Sequence, residues 1–350
     1  MKTLNNRQLQ ILEILRQKAE ISTSEIFNML GKKFSLITIK RDASFLFKNK
    51  YLIKNNRGRS TNYTISLMGA ILSPIDAHKY CEIDPDKRMG AKNNFNFELL
   101  SKIDFEIFSK EEKEILEKAT SEYRNKTKNI SKTVEKNELE RFIIELSWKS
   151  SKIEGNTYTL LDTERLLKEG IEAKGHTKDE TNMILNHKKA FQFIVEQENL
   201  FKKGMNQNLV EEVHKLLVKN LDVNTGIRKS PVGITGTIYR PLDNKFQISE
   251  ALNELYELIN KTKNSYSKSL IILLGMSYIQ PFEDGNKRTA RLVANAILLI
   301  NKLAPLSYRS VDEELYREAI LVFYETNSIV PMKKIFIEQY LFSSKTYLIN

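Results

Sequence analysis

The stretch YIQPFEDGNKRTARL, residues 278–292, joins a tight turn to the start of a basic helix. Gly285 permits a sharp reversal of the chain and a close approach of backbone N–H groups to a ligand. A helix that begins at Asn286 offers unpaired N–H groups and the positive end of its dipole, and both favour an anion. Arg288 and Arg291 are three residues apart, so they project from one face, where each can bind phosphate oxygens in bidentate fashion.

A carboxylate and an aromatic ring belong to the same stretch. Asp284 lies at the lip of the turn, where a carboxylate can hold Mg²⁺ that bridges phosphate oxygens. Phe282 is expected to anchor the loop by burial. A di- or triphosphate with Mg²⁺ satisfies all of these groups. On these residues alone, an ordinary glycine turn followed by solvated arginines remains an alternative.

The stretch resembles the signature of Fic domains, whose pattern is His-Pro-Phe-x-Asp-Gly-Asn-Gly-Arg-x-x-Arg. Lys287 replaces a glycine of that pattern and keeps the backbone donor. The resemblance extends over roughly residues 90–345. The matching positions are Pro281, Phe282, Asp284, Gly285, Asn286, Arg288 and Arg291.

The resemblance implies an activity and a set of roles. Fic enzymes typically move the AMP of ATP onto a Ser, Thr or Tyr hydroxyl of a protein. Asp284 would then hold Mg²⁺, and Arg288 and Arg291 would bind the terminal phosphates. The anion hole would be formed by Asn286 and nearby backbone N–H groups; the nucleotide-binding set is Gly285, Asn286, Lys287, Arg288 and Arg291.

Two further segments resemble parts of the family. The sequence SSKIEGN, residues 150–156, looks like the inhibitory motif, read as Ser150, Glu154 and Gly155 at the end of a helix at about 135–154. Glu154 would reach Arg291 and prevent it from orienting the γ-phosphate. Residues 226–247 interrupt the predicted helices, and β-branched residues alternate with other residues there, which predicts a β-hairpin. It looks like the flap that docks a target segment, and its docking residues would be Gly233, Ile234, Thr235, Gly236 and Thr237.

The chain departs from the family pattern at Gln280, where the family has the histidine that accepts the proton of the target hydroxyl. An amide is not a usable base near neutral pH, and losing a positioned base typically costs about 10²–10⁴-fold in rate. Three explanations stay open: a natural pseudoenzyme, a weak or altered transferase, or a chain deliberately changed at this position to trap a complex.

The N-terminal residues carry most of the excess charge. Residues 1–66 contain 13 Lys or Arg against four Asp or Glu, whereas the whole chain has a net charge of +11. Their periodicity predicts three helices and then a hairpin with a basic tip, the order of a winged helix-turn-helix domain. The segment resembles DNA-binding domains of bacterial regulators, particularly in TIKRD. Duplex DNA is therefore a predicted partner, with phosphate contacts from Lys40, Arg41, Arg57 and Arg59.

Composition predicts a mostly α fold, because Gly and Pro are scarce, at 13 and 7 residues in 350. A winged helix-turn-helix is expected at 1–70, a connector at 71–90 and a Fic-type core at 91–350 with its signature at 280–291. Cys81 is the single cysteine, which favours a cytoplasmic protein without disulfides, and no apolar run is long enough for a membrane span. Helices in the core are predicted at about 109–126, 135–154, 160–173, 178–197, 207–219, 248–262, 267–279, 286–302, 312–325 and 332–343.

Two functional hypotheses of different class follow. The first is a Fic-type AMP transferase that uses ATP and Mg²⁺, acts on a protein target or on itself, and is restrained by Glu154. The second is a DNA-binding transcriptional regulator whose Fic domain senses ATP without chemistry. A toxin of the related Doc type, which phosphorylates a translation factor, fits less well because such chains are short and also use the histidine. The sequence leaves the target, the operator and the oligomeric state open, a homodimer included.

Overall fold

The computed structural model describes residues 4–18, 20–57, 60–103 and 106–349. These residues form 17 α-helices and one small antiparallel sheet of three strands. The prediction of a mostly α fold is therefore confirmed. The chain divides into two compact units, one comprising Met1–Ile107, Ile234–Tyr239 and Glu318–Met332, the other Phe108–Gly233, Arg240–Arg317 and Lys333–Asn350.

The first unit begins with three helices and then two antiparallel strands, as predicted, but a short strand that was not predicted lies between the first two helices. Asn5, Ser22 and Ser35 cap the first three helices through their side chains. The sheet has the order β1-β3-β2. The elements are α1 (Asn6–Gln17), β1 (Ile21–Ser22), α2 (Thr23–Met29), α3 (Leu36–Lys48), β2 (Leu52–Arg57), β3 (Ser60–Ile65), α4 (Leu67–Ile71), α5 (Ala77–Cys81), a 3₁₀ turn (Pro85–Lys87) and α6 (Glu98–Lys102).

A small apolar core holds these elements together. Ile11, Leu15, Ile26, Ile39 and Leu46 are all at most 1% exposed, as the helical periodicity of α1 to α3 predicts. Met29, an apolar residue of α2, is instead 47% exposed. It is the last residue of α2, where the helix ends and no longer directs its side chain to the core.

The predicted flap is not a hairpin, so this part of the fold prediction is corrected. Residues 226–247 contain no paired strands, and the chain turns at Gly236, where φ is +85°. Side chains replace a strand ladder here: the N–H of Ile238 and the hydroxyl of Thr237 both donate to the carboxylate of Glu325, at 3.2 and 2.6 Å. Alternating β-branched residues indicate an extended chain, but a β-strand also needs a second strand that pairs with it through backbone hydrogen bonds.

A buried ion pair fixes Glu325 in turn. The side chains of Arg88 and Glu325 are 3% and 0% exposed, and Nη1 of Arg88 lies 3.1 Å from Oε1 of Glu325. Arg88 also donates to the carbonyl of Gly236, and the Tyr80 hydroxyl donates to Oε2 of Glu325. We call this set, with Thr237 and Ile238, the Glu325 cluster.

The second unit consists of helices that match the predicted ones closely. The predicted helix at 160–173 ends at Glu169, because Gly170 adopts a left-handed conformation and terminates it. The helices are α7 (Lys110–Thr127), α8 (Lys132–Ile153), α9 (Leu160–Glu169), α10 (Lys178–Glu196), α11 (Glu198–Lys202), α12 (Gln207–Leu217), α13 (Lys245–Lys261), α14 (Ser265–Ile279) and α15 (Asn286–Ile300), while α16 (Glu313–Thr326) and α17 (Val330–Thr346) contribute residues to both units.

A central pair of helices carries the stretch 278–292. Helices α14 and α15 pack against each other along much of their length, and α14 is buried on every side. Helices α8, α10 and α12 pack on α15. The loop between Ile279 and Asn286 is consequently held at its two ends by the most buried helices of the unit.

Candidate active site

The loop between α14 and α15 begins and ends with a left-handed residue. Gln280 ends α14 with φ 50° and ψ 59°, and Gly285 precedes α15 with φ 80° and ψ 2°. A Cβ at Gly285 would lie 3.3 Å from Cγ1 of Val218 and 3.4 Å from Cδ2 of His214, so a side chain here would be crowded as well as strained by the positive φ. No side chain caps the first turn of α15. The N–H groups of that turn remain suited to an anion.

Asn286 closes the loop on itself. Its Nδ2 donates to the carbonyl of Phe282, and its Oδ1 accepts from the N–H of Phe282, both at 2.8 Å. The side chain of Asn286 therefore shapes the loop. What Asn286 offers to an anion is its backbone N–H.

His214 supports the same loop from α12, a role that sequence reasoning missed. Its ring stacks on Phe282 with 3.7 Å between centroids and 12° between planes, and Nε2 lies 2.9 Å from the carbonyl oxygen of Asp284. Burial lowers the pKa of His214 to about 4, even though the Asp284 carbonyl favours the charged form. The residue lies 70 positions from Asp284, so no local pattern marks it.

The two predicted arginines are buried. Arg288 is 1% exposed, its Nη2 lies 2.8 Å from Oδ2 of Asp284, and its Nη1 has no hydrogen-bond partner among the described residues. Arg291 is 0% exposed and donates through Nε to the hydroxyl of Ser150 and through Nη2 to its carbonyl, at 2.8 and 2.9 Å. A buried cationic donor without a partner is costly. An anion at Arg288 would remove that cost.

Glu154 lies between two cations of α15. It is the C-cap of α8, and its Oε1 lies 2.8 Å from Nη2 of Arg291 while its Oε2 lies 2.8 Å from Nζ of Lys287. Burial alone would raise the pKa of Glu154, but the charges of Arg291 and Lys287 outweigh it and lower that pKa to about 2. Gly155 follows with φ 97°, which lets the chain leave the helix directly after the carboxylate.

Gln280 is 7% exposed and turned towards its own helix, where Nε2 donates to the carbonyl of Ser277 at 2.6 Å. Arg228 fixes the backbone on the other side. Its Nε donates to the carbonyl of Gln280 at 2.7 Å, and its N–H donates to the carbonyl of Pro281 at 2.9 Å. Arg228 was also missed, because it acts across 52 residues of sequence.

His187 lies on α10 and is completely buried. Neither ring nitrogen has a hydrogen-bond partner among the described residues. Burial lowers the pKa of His187 well below its usual range, and the positive charges of Arg291 and Arg288 lower it further. The ring is therefore neutral at physiological pH.

Residues 204–298, which include the loop and both arginines, match the Fic/DOC family. They form a Fic domain. Over 162 residues the chain is 26% identical to protein adenylyltransferase fic-1 of Caenorhabditis elegans, a match that covers 44% of this chain and 31% of that protein. It is 28% identical over 135 residues to probable protein adenylyltransferase aq_aa38 of Aquifex aeolicus (strain VF5), covering 37% and 40%.

A crystal structure of a Fic domain containing signaling protein from Bacteroides thetaiotaomicron shares the fold, with a TM-score of 0.56. The two chains are 18% identical, and the match covers 66% of this chain and 94% of the other. The two adenylyltransferases are matched over less than half of their own lengths. These matches therefore show a shared Fic fold, and they do not by themselves assign the activity of the whole relatives to this chain.

The described residues of the Fic domain suit a metal ion that binds together with phosphates, and not one held by protein ligands alone. Among the described residues, no group of three or more His, Cys, Asp or Glu side chains is placed to hold a metal. Asp284 is a single carboxylate whose side chain is 63% exposed. Mg²⁺ commonly binds through one or two carboxylates together with substrate phosphates and water. Asp284 suits that mode.

The remaining predicted site residues lie elsewhere. Ile234, Thr235, Gly236 and Thr237 belong to the first unit, and Gly233 to the second. Lys40 and Arg41 are exposed on α3, as predicted. Arg57 ends β2, but its side chain and the whole of Arg59 lie outside the described residues. Over the part of the chain that the structure describes, no helix has the length and hydropathy of a membrane span.

Proposed function

We propose that this chain binds ATP with Mg²⁺ in its Fic domain and transfers AMP to a protein hydroxyl slowly, under restraint by Glu154. The observation that carries the proposal is Arg288, a buried guanidinium with one unpartnered nitrogen at the uncapped start of α15. The names of the sequence relatives support the choice of AMP transfer.

The phosphates would bind where α15 begins. Gly285 and the first residues of α15 supply N–H groups, and Arg288 supplies a charge-assisted donor. Mg²⁺, when bound, would neutralise phosphate charge, and Asp284 would hold it. For that carboxylate to bind the ion, its ion pair with Arg288 must rearrange, which frees a second guanidinium nitrogen for phosphate.

The transfer itself needs a proton acceptor that this chain does not supply at position 280. The target hydroxyl oxygen would attack the α-phosphorus, the bond from that phosphorus to the pyrophosphate oxygen would break, and pyrophosphate would leave. The hydroxyl proton must then go to water, because the amide of Gln280 does not accept it. The absent base corresponds to about 10²–10⁴-fold in rate.

Glu154 adds a second restraint. It occupies Arg291 and Lys287 together, so a terminal phosphate can use those cations only after the carboxylate has moved. The lowered pKa of Glu154 shows that the charged carboxylate is strongly favoured in this position. We infer that nucleotide binding and the Glu154 contacts compete.

A transfer assay with two labels tests the proposal. The purified chain is incubated with Mg²⁺ and with ATP labelled either at the α-phosphate or at the γ-phosphate. Slow labelling of protein from the α-phosphate alone is expected, and Arg288→Ala should abolish it. Labelling from the γ-phosphate alone would mean phosphoryl transfer, and no calorimetric binding of ATP by the parent or by Glu154→Gly would refute the nucleotide site.

A DNA-binding regulator that senses ATP is the second candidate. The exposed Lys40 and Arg41 on α3, in a segment with a local charge of +9, favour it. The discriminating measurement is the affinity for duplex DNA with and without MgATP. A change in affinity without any labelled protein would favour the regulator over the transferase.

A further inference from the structure

We propose that His214 is a positioning residue of the Fic site, which sets the loop 281–285 in its anion-binding shape before a nucleotide arrives. The inference rests on the nucleotide site proposed above and extends it to a residue on a different helix. The assignment comes from three separate contacts that one imidazole makes with this loop.

The first contact is the stack on Phe282. The planes of the two rings are 12° apart and their centroids 3.7 Å, and the side chains are 0% and 1% exposed. Phe282 is held on its backbone by Asn286 as well. The aromatic anchor of the loop is therefore fixed both through its main chain and through its ring.

The second contact is the hydrogen bond to Asp284. A carbonyl oxygen only accepts, so His214 donates through Nε2–H, and this is the neutral tautomer with its proton on Nε2. Its Nδ1 is buried and has no partner among the described residues. The bond fixes the direction of the Asp284 carbonyl. A carbonyl oxygen that turned towards a phosphate would repel it, and the same rotation would misplace the next N–H group.

The third contact is steric and involves Gly285. Cδ2 of His214 lies 3.4 Å from the position of a Cβ on Gly285, and Val218 of the same α12 region lies 3.3 Å from it. The surface of α12 therefore limits how the turn before α15 can move. His214 thus stacks on Phe282, donates a hydrogen bond to Asp284 and would crowd a side chain at Gly285. Glu283, the remaining residue between 282 and 285, pairs with Asn224.

Two variants separate the ring from the donor. His214→Phe keeps a stacking ring and loses the hydrogen bond, whereas His214→Gln keeps an N–H donor and loses the ring. Val210→Ala, one helical turn earlier on α12 and equally buried, is the matched control for a general loss of packing. All three changes are made in the full chain carrying Glu154→Gly, so that the carboxylate does not obscure binding.

Two readouts are used, calorimetric affinity for MgATP and amide hydrogen exchange of residues 281–288 without nucleotide. We expect His214→Phe to weaken MgATP about tenfold and to speed loop exchange, since one buried hydrogen bond contributes on the order of a tenfold change. His214→Gln should recover part of both, and Val210→Ala should lower the melting temperature while leaving affinity and loop exchange unchanged.

Several results would overturn the assignment. If His214→Phe folds, binds MgATP as the parent does and exchanges at the parent rate, His214 does not position the loop. If His214→Phe does not fold, His214→Gln decides, and an affinity no better than that of a His214→Leu variant counts against the donor role. If the parent itself binds no nucleotide, the proposed function fails, while loop exchange still tests His214 independently.

Discussion

Nζ of Lys287 lies 2.8 Å from Oε2 of Glu154, and the other oxygen of that carboxylate accepts a hydrogen bond of equal length from Arg291. Two cations separated by about one turn of α15 thus share one carboxylate from α8. Phosphate oxygens of a bound nucleotide would compete with Glu154 for the same two side chains, Lys287 and Arg291.

The contribution of Glu154 to stability should depend on pH. Its pKa in the folded protein, about 2, lies below the ordinary value of 4.5, so the unfolded state binds the proton more readily. The stabilisation is therefore fully present above pH 4.5 and is lost as pH falls towards 2, with a total on the order of 3 kcal/mol.

The measurement is the difference in free energy of unfolding between the parent and Glu154→Gln from pH 7 to pH 2.5. Other carboxyl groups titrate in both proteins and cancel, including Glu180, whose pKa is lowered to about 2 by bonds from Thr157 and Thr177. A difference that stays constant over this range would contradict the ion-pair account.

Glu154→Gly and Gln280→His should act non-additively on AMP transfer. Glu154→Gly frees Arg291 but supplies no base, and Gln280→His supplies a base while the carboxylate remains. Only the double variant should label protein strongly, most easily as self-modification, because residues that act as a unit give non-additive effects. Brisk labelling by Glu154→Gly alone would reveal another base. A silent double variant that still binds ATP would indicate a sensor.

Arg288→Ala should weaken MgATP binding by roughly 1.5–3 kcal/mol, because charge-assisted hydrogen bonds of this size are lost. Arg288→Lys is the matched control, since it keeps the charge but not the planar guanidinium. Its affinity for MgATP should lie between that of the parent and that of Arg288→Ala. Calorimetry on variants that melt cooperatively measures the effect. An unchanged affinity in Arg288→Ala would show that the phosphates do not bind at the start of α15.

Lys40→Ala and Arg41→Ala should each weaken binding to duplex DNA and reduce its salt dependence by about one phosphate contact. Lys79→Ala is the control, because Lys79 is also exposed but lies on α5. Fluorescence anisotropy at several salt concentrations gives both quantities. If the parent shows no salt-dependent binding, the regulator hypothesis loses its support.

Glu325→Gln should destabilise the protein by about 3–5 kcal/mol, because it leaves Arg88 as a buried charge without its partner. Tyr80→Phe removes one donor from the same carboxylate and should cost only about 0.5–1.5 kcal/mol. Denaturant unfolding compares the two variants. Equal losses would mean that the Glu325 cluster is held by packing and not by charge.

The sequence predicted the helices of the second unit well, because each follows from apolar periodicity and local caps. It also placed Gly285 and the helix beginning at Asn286, since a glycine turn and a helix start are local features. Helix ends differed where a local signal was overlooked, as at Gly170, which ends α9 four residues before the predicted end.

What the sequence did not predict are contacts between distant positions. His214 bonds to Asp284, which is 70 residues away in the sequence. Arg228 bonds to Gln280 across 52 residues, and Glu325 bonds to Thr237 across 88. No periodicity encodes such pairs, because each depends on how separate segments pack. The hairpin expected at 226–247 failed for a related reason: Thr237 and Ile238 bond to Glu325, which is distant in sequence, and not to a neighbouring strand.

The backbone at Gln280 limits which residues fit at this position. A residue here must adopt a left-handed conformation, which histidine tolerates far better than β-branched residues do. Gln280→His therefore changes the proton affinity of one side chain and leaves the path of the chain intact.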